Sequence, residues 1–261
     1  MVRNSSTFHK EWARCHDPPI KVGRHTVHNK QTAAAAWSDC LINSADGYGL
    51  FAHKQVPYLH NWVADGTHLL SGANFIHAIQ IRGATVATKS RAARGRPLAN
   101  NKCDCCGRTE TLGHVLQVCP RTWGPRIKRH DALMEKFLRN MENRGWSVVR
   151  APVIPVRGGS PQIPDGVLFK DGTCWVVDAS VVADNAALDD AHDSKCAKYN
   201  TPAVRDWCQS HWPSKERSWV PLFGVLIFNW RGAMSPRSAN MCKQMGMNQS
   251  DTKILSVSVV E

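Results

Sequence analysis

Residues 164–180 read PDGVLFKDGTCWVVDAS. Two apolar, β-prone runs, Gly166–Lys170 and Thr173–Ala179, flank Asp171-Gly172. That dipeptide suits a two-residue hairpin turn because both residues tolerate positive φ. The stretch therefore predicts a tight β-hairpin, with Asp165 at the start of its first strand and Asp178 at the end of its second. The two carboxylates then lie side by side at one edge of a sheet, where they can hold a hard divalent cation through oxygen. Asp178 emerges from Trp175-Val176-Val177 and precedes Val181-Val182, at a core boundary where a carboxylate needs a partner. Taken singly, Asp165 reads as a turn cap after Pro164, and Asp178 as the partner of a lysine. Taken together, with Lys195 on the helix that follows, they read as the centre of a metal-dependent phosphodiesterase. The lysine would orient the attacking water or offset charge building on the phosphate.

Outward from the hairpin the periodicity alternates between helix and strand. Residues 125–143 have Ile127, Leu133, Phe137 and Leu138 on one side, Pro125 at the start and Asn143-Arg-Gly145 at the end, which predicts a helix. Trp146–Arg150 and Leu222–Asn229 read as further strands, and Ala186–Asn200 as a helix that ends before Pro202. A short helix is expected after Ser235-Pro236. This order predicts an α/β (α+β) sandwich, a mixed sheet flanked by helices. Upstream, short helices are expected at Ala33–Ile42 and Gln55–Asp65, and another that Gly83 breaks. Residues 1–35 lack clear periodicity and read as poorly ordered or an edge appendage.

Between these parts lies CX2CX7HX4C, made by Cys103, Cys106, His114 and Cys119. Three thiolates and an imidazole complete a tetrahedral zinc site with no open position, so zinc there would be structural. Cys105 sits inside the first turn and could replace a neighbour. Ten cysteines in 261 residues, with a polar first twenty residues, are expected to serve a metal or a reduced core rather than a disulfide scaffold. No apolar run approaches the roughly 20 residues of a membrane span, so no membrane partner is expected.

The net charge is +12, and it is unevenly placed. Arg82 to Arg129 holds eleven Lys/Arg against Asp104 and Glu110, a block that suits a polyanion, most simply nucleic acid. Within it, Ser90–Leu98 carries Arg91, Arg94 and Arg96 on a Gly/Pro-punctuated arm suited to backbone phosphates. Trp123 is among the tryptophans that could stack on bases.

The ordered set of cysteine knuckle, Arg129-His130-Asp131, Pro164-Asp165, Asp178 and Lys195-x-x-Lys198-Tyr199 resembles the C-terminal part of non-LTR retrotransposon polyproteins of the R-two clade. The resemblance spans about residues 70–245. It includes Thr111-Leu-Gly-His114 and Arg231-Gly232. It implies a CCHC zinc knuckle followed by a restriction-like endonuclease of the PD-(D/E)xK type. Carried over, Asp165 and Asp178 would bind Mg²⁺, and Lys195 would be the catalytic lysine with Lys198 as its competitor. Arg129 and His130 would match an Arg-His pair that we assign to nucleic-acid binding. One departure is Ser180, which stands two residues after Asp178 where the general nuclease pattern has its lysine.

The implied organisation is a helical or linker region at 1–98, partly disordered, a knuckle at 99–122, an endonuclease domain at 123–250 and a tail at 251–261. The implied partners are target DNA and element RNA, with no obligate protein partner, in the nucleus. No Tyr/Phe-Ala-Asp-Asp polymerase motif occurs in the chain, which reads as a partial copy of the longer polyprotein; reverse transcription would belong only to the full-length parent. The reading from another class is a non-catalytic nucleic-acid-binding remnant with an intact knuckle and a decayed nuclease.

Overall fold

The computed structural model describes residues 20–65, 69–97, 99–212 and 219–261. The described residues divide into two compact units, 20–48 and those from 49 onward. In the first, strands β1 (Ile20–Val22) and β2 (His25–Val27) pair antiparallel beside helix α1 (Lys30–Ile42). Val22, Val27 and Ala36 form its small core. Residues 20–35 thus form a hairpin and the start of a helix, so of the two readings, poorly ordered or an edge appendage, the first does not hold for them. The part of that expectation on residues 1–19 lies outside the described residues.

The second unit is built on a four-stranded mixed sheet in the order β3 (Ser147–Arg150), β4 (Gly166–Lys170), β5 (Thr173–Val182), β6 (Leu222–Asn229). β3 pairs antiparallel with β4 and β4 with β5, whereas β5 pairs parallel with β6. Asp171 and Gly172 both have positive φ, 46° and 75°, as the Asp-Gly turn requires. β5 runs three residues past the expected Ala179. Asp178 therefore lies within the strand, and its parallel partner Val225 fixes it there.

Both faces of the sheet are covered, which is why β5 reads as an almost unbroken apolar run. On one face Leu168, Trp175, Val177 and Ala179 pack against Leu133, Phe137 and Met141 of the long helix α6 (Trp123–Asn143). Gly166 permits that approach: a Cβ there would stand 3.0 Å from Leu138 Cδ2 and 3.2 Å from Val177 Cγ2. Ile127, expected on the buried side of α6, is 45% exposed, because the apolar stripe in contact with the sheet begins only at Leu133. On the other face Val167, Phe169, Cys174 and Val176 meet Tyr199 of α7 (Leu188–Tyr199), and Val204 and Cys208 of α8 (Pro202–His211).

Ahead of the sheet come α2 (Trp62–Asp65), α3 (Gly72–Arg82), α4 (Lys89–Ala92) and α5 (Leu112–Gln117). The helix expected over Gln55–Asp65 is split into a 3-10 turn at Pro57–His60 and the short α2. Leu112 of α5 shares a second core with Trp62, Leu70, Ala78, Ile81, Trp230 and Val257. After β6 come α9 (Pro236–Gln244) and α10 (Gln249–Val260).

Residues 251–261, expected as a tail, belong almost wholly to α10. Asn248 and Asp251 close a capping box at its start. Leu255 and Val259 enter the main core, and Val257 and Val260 enter the second. Leu255→Ala is expected to cost about 2–5 kcal/mol, as a cavity in a packed core does. Urea unfolding checks this, and an unchanged midpoint would return α10 to the status of a tail.

Candidate functional site

The register of the hairpin brings the acidic pair together. Lys170 pairs with Thr173 and Gly166 with Val177, so one further step sets Asp165 opposite Asp178. Directly opposed residues project to the same face with Cβ atoms about 4.5–5.5 Å apart. The backbone N–H of Ala179 donates to both carboxylates, at 2.8 Å to Asp165 Oδ2 and 2.9 Å to Asp178 Oδ1. Nothing in the residue pattern announced this shared donor.

Alternation along β5 puts Asp178 on the side of Cys174 and Val176, toward α7. That helix supplies Lys195, whose Nζ donates to Asp178 Oδ2 at 2.7 Å and reaches the Ala179 carbonyl at 3.5 Å. Asp178 is only 3% exposed. Burial first, and then Asp165 opposite it, raise its pKa above the usual carboxylate range, with Lys195 offsetting part of the effect. A buried carboxylate facing another in this way favours a cation between or beside them.

His130 on α6 completes the cluster. Its Nε2 lies 3.1 Å from Asp165 Oδ2 and its Nδ1 lies 3.1 Å from Asp131 Oδ1. The bond to Asp165 raises the imidazole to about 9, which favours the form in which both nitrogens donate. For Asp165, burial pulls upward, but His130 outweighs it and the carboxyl is lowered. One ligand atom each from His130, Asp165 and Asp178 lies within 4.8 Å of the others. Two carboxylate oxygens with an adjacent imidazole fit a hard divalent cation, the nitrogen becoming a ligand only on losing its proton.

Lys198 is placed differently. Its Nζ sits 3.0 Å from Tyr199 Oη and 4.5 Å from the centre of that ring. Tyr199 in turn donates to the Ile163 carbonyl at 3.1 Å. The lysine in contact with the carboxylates is therefore Lys195.

Cys103, Cys106, His114 and Cys119 form a second group within 4.8 Å. Cys103 Sγ and Cys119 Sγ are 3.7 Å apart, and Cys106 Sγ is 3.3 Å from His114 Nε2. Zn–S bonds of about 2.3 Å at tetrahedral angles demand an S···S edge of about 3.8 Å, so the sulfur pair fits such a metal. Thr111 caps α5 by accepting from the backbone N–H of His114, which fixes the start of the helix that carries this histidine. Cys105 is exposed and stands outside the group.

The basic residues divide. Arg94 and Arg96 are exposed, whereas Arg91 donates to the Ala84 carbonyl at 3.0 Å. Leu98, at the end of the same arm, lies outside the described residues. Arg129 is half-buried and donates to the Leu116 carbonyl at 3.3 Å, binding the cysteine-bearing segment to α6. Burial, then Arg126, lower it to about 10. Among the described residues no helix is long and apolar enough to cross a membrane.

A Cys3His group that could hold a metal, joined to a mixed sheet that carries an acidic pair and a lysine, makes this an α/β protein with two candidate metal sites. Comparison with known proteins then narrows the class to retrotransposable-element polyproteins. The chain is 31% identical over 226 residues, 86% of its length, to the Retrovirus-related Pol polyprotein from type-2 retrotransposable element R2DM of Drosophila melanogaster. It is 27% identical over 90% of its length to the R2 Pol polyprotein of Bradysia coprophila, and 29% identical over 84% to one from Popillia japonica. The chain is a homologue of the R2 Pol polyproteins. It covers 21%, 26% and 45% of these three relatives, respectively. No family model matches it.

Proposed function

We propose that this chain is the endonuclease region of an R2-type polyprotein, a restriction-like PD-(D/E)xK fold that nicks target DNA with Mg²⁺. The observation that carries the reading is the opposition of Asp165 and Asp178 across the β4–β5 hairpin, with Lys195 Nζ 2.7 Å from Asp178. Mg²⁺ bound by these carboxylates would polarise a phosphate and lower the pKa of a water.

The chain's own residues supply the rest. Asp165 and Asp178 are oriented by the Ala179 N–H, and Asp165 also by His130. Lys195 Nζ keeps a positive charge where negative charge builds on the phosphate oxygens during attack, and it can donate to one of them or to the incoming water. Exposed Arg94 and Arg96 suit the nucleic-acid backbone, which makes affinity fall steeply with salt. The Cys3His group would hold zinc as a closed structural site. In the whole polyprotein, the 3′-hydroxyl left by the nick would prime copying of element RNA in the nucleus.

Paired substitutions test the lysine assignment. Lys195→Ala is expected to slow plasmid nicking by about 10²–10³-fold, the usual consequence of removing one transition-state donor. Lys198→Ala is expected to slow it by less than about tenfold, since its amine rests on Tyr199. The reverse order would move the catalytic role to Lys198.

A further inference from the structure

Beside the acidic cluster, the first turns of α6 present a surface that the hydrolytic chemistry does not use. Trp123 is 64% exposed, and Ile127, one turn further on, is 45% exposed. On a basic helix these two make an apolar ridge, and water contact costs an indole more than it costs most side chains. The Arg126 guanidinium lies 5.3 Å from the centre of the Trp123 ring, a cation–π contact that orients the indole. Trp123, Ile127 and His130 follow i, i+4, i+7 spacing and so share one helical face.

A cavity of about 390 Å³ runs along that face, lined by Trp123, Arg126, Ile127 and His130 and reaching Ser180 and Lys195. One end of it is therefore the candidate catalytic cluster and the other is an exposed aromatic ring. Seven residues of helix separate Trp123 from His130, about 10 Å along the axis, or about three base-pair steps of B-DNA. A largely apolar cavity with cations along its wall (Arg126, Arg129, Lys195) and an aromatic at its mouth matches a nucleotide: phosphate toward the cations, base against the ring.

We infer that Trp123 is a base-stacking subsite, which receives an unstacked nucleobase of the DNA strand held next to the carboxylate cluster. Arg126 fixes the ring, and Ile127 extends the apolar platform. The inference takes its substrate, DNA, from the endonuclease reading. Stacking is nevertheless a binding property and can be measured without hydrolysis.

The test is fluorescence anisotropy of the full chain, without added Mg²⁺, on two labelled probes of 30 nucleotides. One is oligodeoxythymidine, and the other is an abasic strand of equal length and charge. Trp123→Ala is expected to weaken oligodeoxythymidine binding about tenfold while leaving the abasic strand's affinity unchanged. Trp123→Phe, which keeps a π face, is expected to restore most of the loss. An unchanged affinity for oligodeoxythymidine would overturn the inference, as would an equal loss on both probes. Plasmid nicking by the same preparations reports separately on the endonuclease reading. A chain that stacks bases but does not nick overturns that reading alone, and one that nicks without stacking overturns the subsite alone.

Discussion

Asp178→Asn is expected to reduce Mg²⁺-dependent nicking by on the order of 10³-fold or more while leaving the melting temperature unchanged or higher. Activity and stability separate here because, in the proposed role, Asp178 would serve the first at the expense of the second. Asp178 is buried, and Asp165 faces it, so its pKa stands above the ordinary range. A raised carboxyl pKa means that the charged form is held in the fold at a cost. Asparagine keeps an oxygen for the Ala179 N–H, which now donates to Asp178 at 2.9 Å, and removes the repulsion. Lys195, one-third exposed, can turn its amine to water. A carboxylate kept merely as a structural ion-pair partner would behave in the opposite way, because removing one member of a buried pair destabilises the fold. Nicking assays beside thermal melts of the two proteins decide between these outcomes.

Cys119→Ser is expected to have the largest effect on stability. Cys119 is fully buried, with its sulfur at tetrahedral-edge distance from Cys103. The affinity of a structural zinc is folding free energy, worth about 10–16 kcal/mol in zinc-finger peptides. Loss of one ligand would also release α5, whose Leu112 seats in the core with Trp62, Ile81 and Trp230. The purified chain should carry one zinc by elemental analysis, and the variant should lose it and melt at least about 10 °C lower. A wild-type chain that contains no zinc, or a variant that melts unchanged, would show that the cysteines are only packed thiols.

Much of the site was legible because turn chemistry fixes register. Asp-Gly forces a two-residue hairpin, and a two-residue hairpin that pairs Lys170 with Thr173 must set Asp165 against Asp178. The clustering of Cys103, Cys106, His114 and Cys119 was equally readable from their spacing, since a knuckle and a short capped helix leave few ways to arrange four such side chains. The choice between Lys195 and Lys198 was not readable. Residues three apart lie near each other on a helix, and the seating of Tyr199 on the Ile163 carbonyl is what draws Lys198 aside.

Other parts were hidden by mixed signals. Pro202 reads as a stop for α7, yet Thr201 caps a new helix with that proline at its first position. The run Ile254-Leu-Ser-Val-Ser-Val-Val260 alternates like a strand, but the Asn248 cap and burial on nearly all sides make it helix α10. His130 gave no sign in sequence that it would reach Asp165, because that depends on how α6 crosses the sheet.

The most direct test of the central claim is nicking of supercoiled plasmid by the full chain and by the Asp165→Ala/Asp178→Ala double variant, each with Mg²⁺ and with Ca²⁺ in its place. We expect open-circular product only from the unmodified chain with Mg²⁺, and plasmid binding by both proteins. Nicking that persists in the double variant, or none from the unmodified chain with Mg²⁺, would contradict the assignment of this carboxylate pair as the catalytic metal site.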